Sequence, residues 1–171
     1  MKGSFLLLFS LVIAALIATG CNSENASVNP VNPDNSISKG NSVLQQELAR
    51  VRAATAKYHD INKAIADGYA DINLYVPHMG WHYLNSTQLD GTFDMEKPEL
   101  LVYANSPNGG LQLVAVEYAV PLSLSPDPPE GFTGDQDVWD VNTDFQLWTL
   151  HCWVWYNNPD GIFAEYNPRV E

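Results

Sequence analysis

The sequence predicts an α+β domain, one long N-terminal helix followed by an antiparallel β-sheet, and three observations carry that expectation. Leu44, Leu48, Val51, Ala54, Tyr58, Ile61 and Ile65 recur at steps of three and four, which lays one apolar stripe along a helix. Beyond Gly68 the apolar runs shorten to strand length and are punctuated by Pro, Asn and Gly turns. Helix first and strands afterwards is the segregated order of an α+β fold. Residues 42–171 are enough for a single domain with one sizeable core.

The helix is expected from about Val43 to Asp67, because Ser42 and Gln45 match a capping box and Gly68 is a natural C-terminal stop. Short extended pieces follow at Ile72 to Val76 and Trp81 to Leu84. Leu100 to Ala104 and Leu111 to Val120 flank Asn105-Ser106-Pro107-Asn108-Gly109-Gly110, which reads as the loop of a hairpin. Trp148 to Tyr156 is a further strand, ended by Asn157-Asn158-Pro159-Asp160-Gly161. The acidic stretch from Ser125 to Phe145 reads as a solvated loop. Within it Asp140-Val141-Asn142-Thr143-Asp144 spaces oxygens as a calcium loop does, but Phe145 replaces the glycine of the turn and His151 the closing glutamate.

Ahead of the domain, Lys2, the apolar stretch Phe5 to Ile17 and Ala18-Thr19-Gly20 form a secretory signal too short to span a bilayer comfortably. With Cys21 the junction resembles the lipobox of bacterial lipoproteins, with Ala18 where leucine is more usual. That resemblance implies that residues 1–20 are a signal peptide and that Cys21 carries a thioether-linked diacylglycerol as the first mature residue. The partner it implies is the membrane, on the extracytoplasmic side of the bacterial cell envelope. Residues 21–41, rich in Asn and Ser with Pro30 and Pro33, are expected to be a flexible tether of about 25 Å root-mean-square span.

The formal charge of −12 makes nucleic acid an improbable partner. From Gly68 onward there are fifteen carboxylates against only Lys97 and Arg169. A buried carboxylate in this half therefore has few basic partners to choose from. Cys152 is the only cysteine besides Cys21, so an intramolecular disulfide is excluded once Cys21 is acylated, and its aromatic neighbours predict burial.

Alternation along Leu111 to Val120 puts Leu113, Ala115, Glu117 and Ala119 on one face and Val114, Val116, Tyr118 and Val120 on the other. Glu117 then projects from an apolar strand between two alanines. An isolated buried carboxylate costs several kcal/mol or becomes neutral, so Glu117 needs a partner. His78, His82, His151 or a bound divalent metal can supply one. His151 shares a strand face with Thr149, Trp153 and Trp155, and His59 lies beside the helix stripe, where exposure is expected.

These residues make His82, Glu117, His151 and Trp153 the candidate binding site, with the first three as possible metal ligands. Three readings stay open: a structural Glu–His network, a ligand or catalytic pocket without metal, and a metal site. Trp153 and Trp155 suit either a sugar-binding platform or an aromatic core. No phosphate-binding glycine loop, Gly-x-Ser-x-Gly elbow or dinucleotide fingerprint occurs. The leading expectation is a lipid-tethered domain that binds a small ligand, ion or envelope partner. The alternatives are a metal-assisted or acid–base hydrolase using the same residues, and a purely structural envelope protein.

Several segments together resemble a group of small secreted bacterial proteins of uncharacterised function. They are Arg52-Ala53-Ala54-Thr55-Ala56, Asp67-Gly68-Tyr69, Gly80-Trp81-His82-Tyr83, Leu113 to Tyr118, Leu150 to Phe163 and Asn167-Pro168. The segment from Pro128 to Gly134 fits that group's Pro-Pro to Phe-Gly region only loosely. The resemblance implies no chemistry.

Overall fold

Burying one stripe of a helix against one face of a strongly apolar sheet dictates the architecture. The computed structural model describes residues 33–171, with side chains from Lys39 onward. The signal peptide, Cys21 and most of the expected tether lie outside the described residues.

Helix α1 spans Pro33–Thr55 and α2 spans Ile61–Ala66, joined by a 3-10 turn at Ala56–His59. The strands are β1 (Ala70–Val76), β2 (Gly80–Leu84), β3 (Leu100–Asn105), β4 (Leu111–Pro121), β5 (Asp140–Asn142) and β6 (Leu147–Cys152), in one sheet ordered β1-β2-β3-β4-β6-β5. All five neighbouring pairs are antiparallel. The α+β expectation therefore holds, with two corrections to the helix.

First, α1 begins at Pro33, so residues 33–41, expected within the tether, are helical, and Ser42 with Gln45 sits inside the helix rather than at its start. Proline suits the first helical turn because its missing N–H has no intrahelical acceptor there. Second, the single expected helix is broken at Asp60, whose extended backbone (φ −90°, ψ 105°) and side chain cap α2 through the Asn62 amide at 3.0 Å. The break resets the helical phase. Leu44, Leu48, Val51, Thr55 and Tyr58 are buried, whereas Ile65, expected in the stripe, is 55% exposed and Ala64 is buried in its place.

The sheet's helix-facing side carries Leu101, Tyr103, Val116, Tyr118, Leu150 and Cys152 in one core with the α1 stripe. Three tyrosines sink their rings into this side and donate their hydroxyls to carbonyls of the covering segments. Tyr103 bonds Tyr58 at 2.7 Å, Tyr69 bonds Pro98 at 2.7 Å and Tyr118 bonds Met95 at 2.8 Å. Helix α1 is fixed laterally by Glu47, which accepts from the Thr133 amide and hydroxyl at 2.8 Å each, and by Arg52, whose Nε donates to the Val154 carbonyl at 3.0 Å.

Between β3 and β4 the register slips: Val102 opposes Ala115 but Tyr103 opposes Leu113. Val114 is the extra residue of a β-bulge. The slip corrects the expected alternation, because Leu113 joins the helix-side core while Val114 packs with Val102, Ala115, Trp153 and Val170 on the opposite side. The Val114 carbonyl, released from the ladder, accepts from the amides of Trp155 (3.3 Å) and Tyr156 (3.0 Å). Strand β6 accordingly stops at Cys152, four residues short of the expected end at Tyr156. The segment Asp140–Asn142, with its calcium-like spacing, is strand β5, and Asn142 Oδ1 accepts from the Phe145 amide at 3.1 Å to close the turn into β6.

Candidate functional site

The side of the sheet away from α1 holds the predicted trio. Glu117 on β4 lies opposite Leu100 of β3 and His151 of β6, so these three share a face. His82 on β2 lies opposite Val102, two residues from Leu100, and reaches the same face. All three residues are buried, at 7% (Glu117), 4% (His151) and 2% (His82) exposure.

Their polar atoms converge. His82 Nε2 stands 3.4 Å from Glu117 Oε2 and His151 Nε2 stands 3.8 Å from the same oxygen. One ligand atom from each residue lies within 4.8 Å of the other two. His82 Nδ1 is 3.2 Å from the Leu74 carbonyl. A carbonyl only accepts, so Nδ1 carries the proton and Nε2 presents its lone pair to Glu117. The geometry of β1 makes this possible: its register shifts between Asp71 and Leu74, with Asn73 at φ 55° and the Asp71 carboxylate accepting from the Asn73 amide at 2.7 Å. The His151 ring stacks on the Trp153 indole, centroids 5.9 Å apart and planes 14° from parallel, and that indole donates to the Ala164 carbonyl at 2.6 Å.

Electrostatically the cluster is neutral at pH 7. Burial lifts the Glu117 carboxyl to about 8, helped by the charges of Glu99 and Glu165. Burial lowers His151 to about 3, with His82 adding to the fall, and lowers His82 against the opposing pull of its backbone hydrogen bonds. The distances resemble ion pairs, yet desolvation of both partners outweighs their attraction, leaving a carboxyl group facing two unprotonated imidazoles. Glu117 Oε2 and His151 Nε2 have no hydrogen-bond partner. Each unsatisfied buried polar atom costs about 1–3 kcal/mol. The arrangement offers the Nε2 lone pair of His82 and the carboxyl of Glu117, with His151 Nε2 donating or accepting according to its tautomer.

Above the trio opens a cleft of about 420 Å³, walled by apolar residues of β1 to β3, β6 and the β5–β6 turn, with Asp144 and Glu165 among its lining. Among the described residues no Lys or Arg lines it. Trp153 does not line it either and serves as a backing plate for His151.

The remaining sequence candidates are placed elsewhere. His78 bonds the Val170 carbonyl at 3.0 Å through Nδ1, and exposed His59 meets the edge of Trp155 at 4.4 Å. Trp155 donates to Thr55 Oγ1 at 3.1 Å, so Trp153 and Trp155 face different surroundings and make no common platform. Cys152 is fully buried in the helix-side core as a free thiol. Sequence reasoning missed Glu99, a second buried carboxyl lifted to about 8 by burial, whose Oε2 accepts from the Ala119 amide at 2.9 Å. No local pattern marks it: Glu99 stands just ahead of β3 in an acidic, turn-rich segment, and only the fold brings the Ala119 amide to it. Compared with protein-family models, curated proteins and solved structures, the chain finds no match.

Proposed function

We propose that this chain is a lipid-anchored protein of the bacterial cell envelope whose domain binds a divalent transition metal of the zinc class through His82, Glu117 and His151. The observation that carries this reading is the set of three buried side-chain atoms of metal-ligand type within 4.8 Å of one another, two of which have no hydrogen-bond partner. Two neutral imidazoles and a carboxylate are a common donor set for zinc, and three protein ligands leave a fourth position open. Tetrahedral ligands about 2.0–2.1 Å from zinc stand about 3.3–3.4 Å apart. The His82–Glu117 separation of 3.4 Å already matches, His151 stands 3.8 Å from the same oxygen, and the three ligand atoms, which lie within 4.8 Å of one another, must draw together for a metal to be held. The Leu74 carbonyl behind His82 fixes the metal-ready tautomer. The acidic lining residues Asp144 and Glu165 concentrate cations near the cleft.

The test is metal content of the full chain purified from zinc-supplemented cells. One zinc per chain is expected, with loss in His82→Ala, His151→Ala and Glu117→Gln variants that keep their circular dichroism. A folded protein that takes up neither zinc nor cobalt refutes the reading. If Glu117→Ala then also lowers stability by about 1–3 kcal/mol, as loss of a buried polar partner does, the trio only completes the core. Space above the ligands also favours a second reading, a metal-assisted hydrolase. It requires zinc-dependent ester hydrolysis that disappears in the same variants. The anchor is tested separately: Cys21→Ser should abolish fatty-acid labelling and release the protein from membranes.

A further inference from the structure

The floor of the cleft is polar and its walls are greasy. Ile72, Leu74, Leu84, Leu100, Phe145 and Leu147 line it, and Ile72 and Phe145 remain 39% and 56% exposed. Large apolar side chains held in water around a concavity of about 420 Å³ suit an organic ligand, for which pockets of roughly 300–1,000 Å³ are usual. The floor supplies the complementary charge. A dication held by one carboxylate and two neutral imidazoles retains a single net positive charge, and no other charged group is buried beside it in the cleft lining. Uncompensated charge in an apolar site is costly, so the open position favours a monoanionic ligand over a neutral one.

Resting on the metal reading above, we infer that the cleft binds an aliphatic carboxylate, its head on the metal held by His82, Glu117 and His151 and its hydrocarbon chain along the apolar wall. Asp144 and Glu165 oppose the anion, and the charge of Glu165 is felt as far as Glu117 on the floor. Both are exposed, so salt screens this repulsion.

The experiment uses the full chain in phospholipid nanodiscs, loaded with cobalt(II), with empty nanodiscs as the blank. Metal occupancy is measured first, then the visible cobalt absorption is followed during titration with butanoate, hexanoate and octanoate. Octanoate is expected to change the cobalt spectrum, and each added pair of methylenes to tighten binding roughly tenfold. Octanol should leave the spectrum unchanged. Ile72→Asp and Phe145→Asp, both at exposed positions, should weaken octanoate at least tenfold while cobalt occupancy stays the same. Normal cobalt occupancy without a spectral response to octanoate overturns this inference and leaves the metal reading standing. Equal octanoate binding to metal-free protein overturns it as well, because the head is then not on the metal. Failure to take up cobalt removes the reading beneath it. Octylamine binding that expels cobalt removes both, since the trio would then be holding an ammonium group.

Discussion

Replacing Glu117 by glutamine changes one ionisable group and almost no volume, and in metal-free protein it should produce a stability gain that exists only at high pH. The folded-state pKa of about 8 lies above the ordinary 4.5. A group raised in this way contributes its full stability below the unfolded value, and that contribution is lost as the pH climbs through the folded value. The loss therefore runs from about pH 4.5 to pH 8. At about 1.4 kcal/mol per pH unit, the difference between the two limits is on the order of 4–5 kcal/mol. His82 and His151, both lowered by burial, are already neutral from pH 6.5 upward, and the high-pH repulsion between Glu99 and Glu117, relieved in the variant, adds in the same direction. Urea denaturation of wild type and Glu117→Gln in the presence of a chelator, at pH 5 and pH 8.5, gives the answer. The two should be close at pH 5. At pH 8.5 the variant should be the more stable by several kcal/mol, on the order of 10 °C in Tm. A wild type whose stability relative to the variant is the same at both pH values would refute the claim that Glu117 is buried and neutral. With zinc bound the sign should reverse, because the metal requires the carboxylate.

Gly80→Ala should destabilise the domain by about 2 kcal/mol or more in thermal or denaturant unfolding, because Gly80 sits at φ 120° and a Cβ there would run into the Tyr103 carbonyl oxygen. Since Gly80 begins the strand that carries His82, zinc affinity should fall in the same variant. Tyr103→Phe removes the hydroxyl that donates to the buried Tyr58 carbonyl at 2.7 Å and should cost about 1–2 kcal/mol while leaving zinc occupancy intact, as read by denaturation and metal analysis.

How much of this could be read from the chain depends on which forces act locally. The strands from Leu100 and Leu111, and the burial of Glu117 and His151 on one face, follow from apolar content and period-two alternation, and both were legible. The break at Asp60 was not, since the apolar stripe continues through Ile61 and Ile65 and only the capping geometry of Asp60 shows that the phase restarts. The bulge at Val114 was equally invisible, because Leu113, Val114, Ala115 and Val116 are all apolar and alternation cannot reveal a slip between two greasy faces. His82 was placed in the site only among three candidate histidines. What selects it over His78 is the cross-strand register of β2 on β3, a long-range fact. The cleft walls at Ile72 and Phe145 come from β1 and the β5–β6 turn, at opposite edges of the sheet, and no local pattern unites them.

The surplus residue at Val114 reaches further than its own strand. By giving up its place in the ladder it offers a carbonyl to Trp155 and Tyr156, and so turns the chain after β6 away from sheet pairing. Trp153, at that departure, is thereby free to lie flat behind His151. Shortening β4 by that one position would straighten the strand without moving any neighbour to the other side, and would still unseat an imidazole on an adjacent strand. An indel there is an edit to the chemistry of the floor, made from a distance.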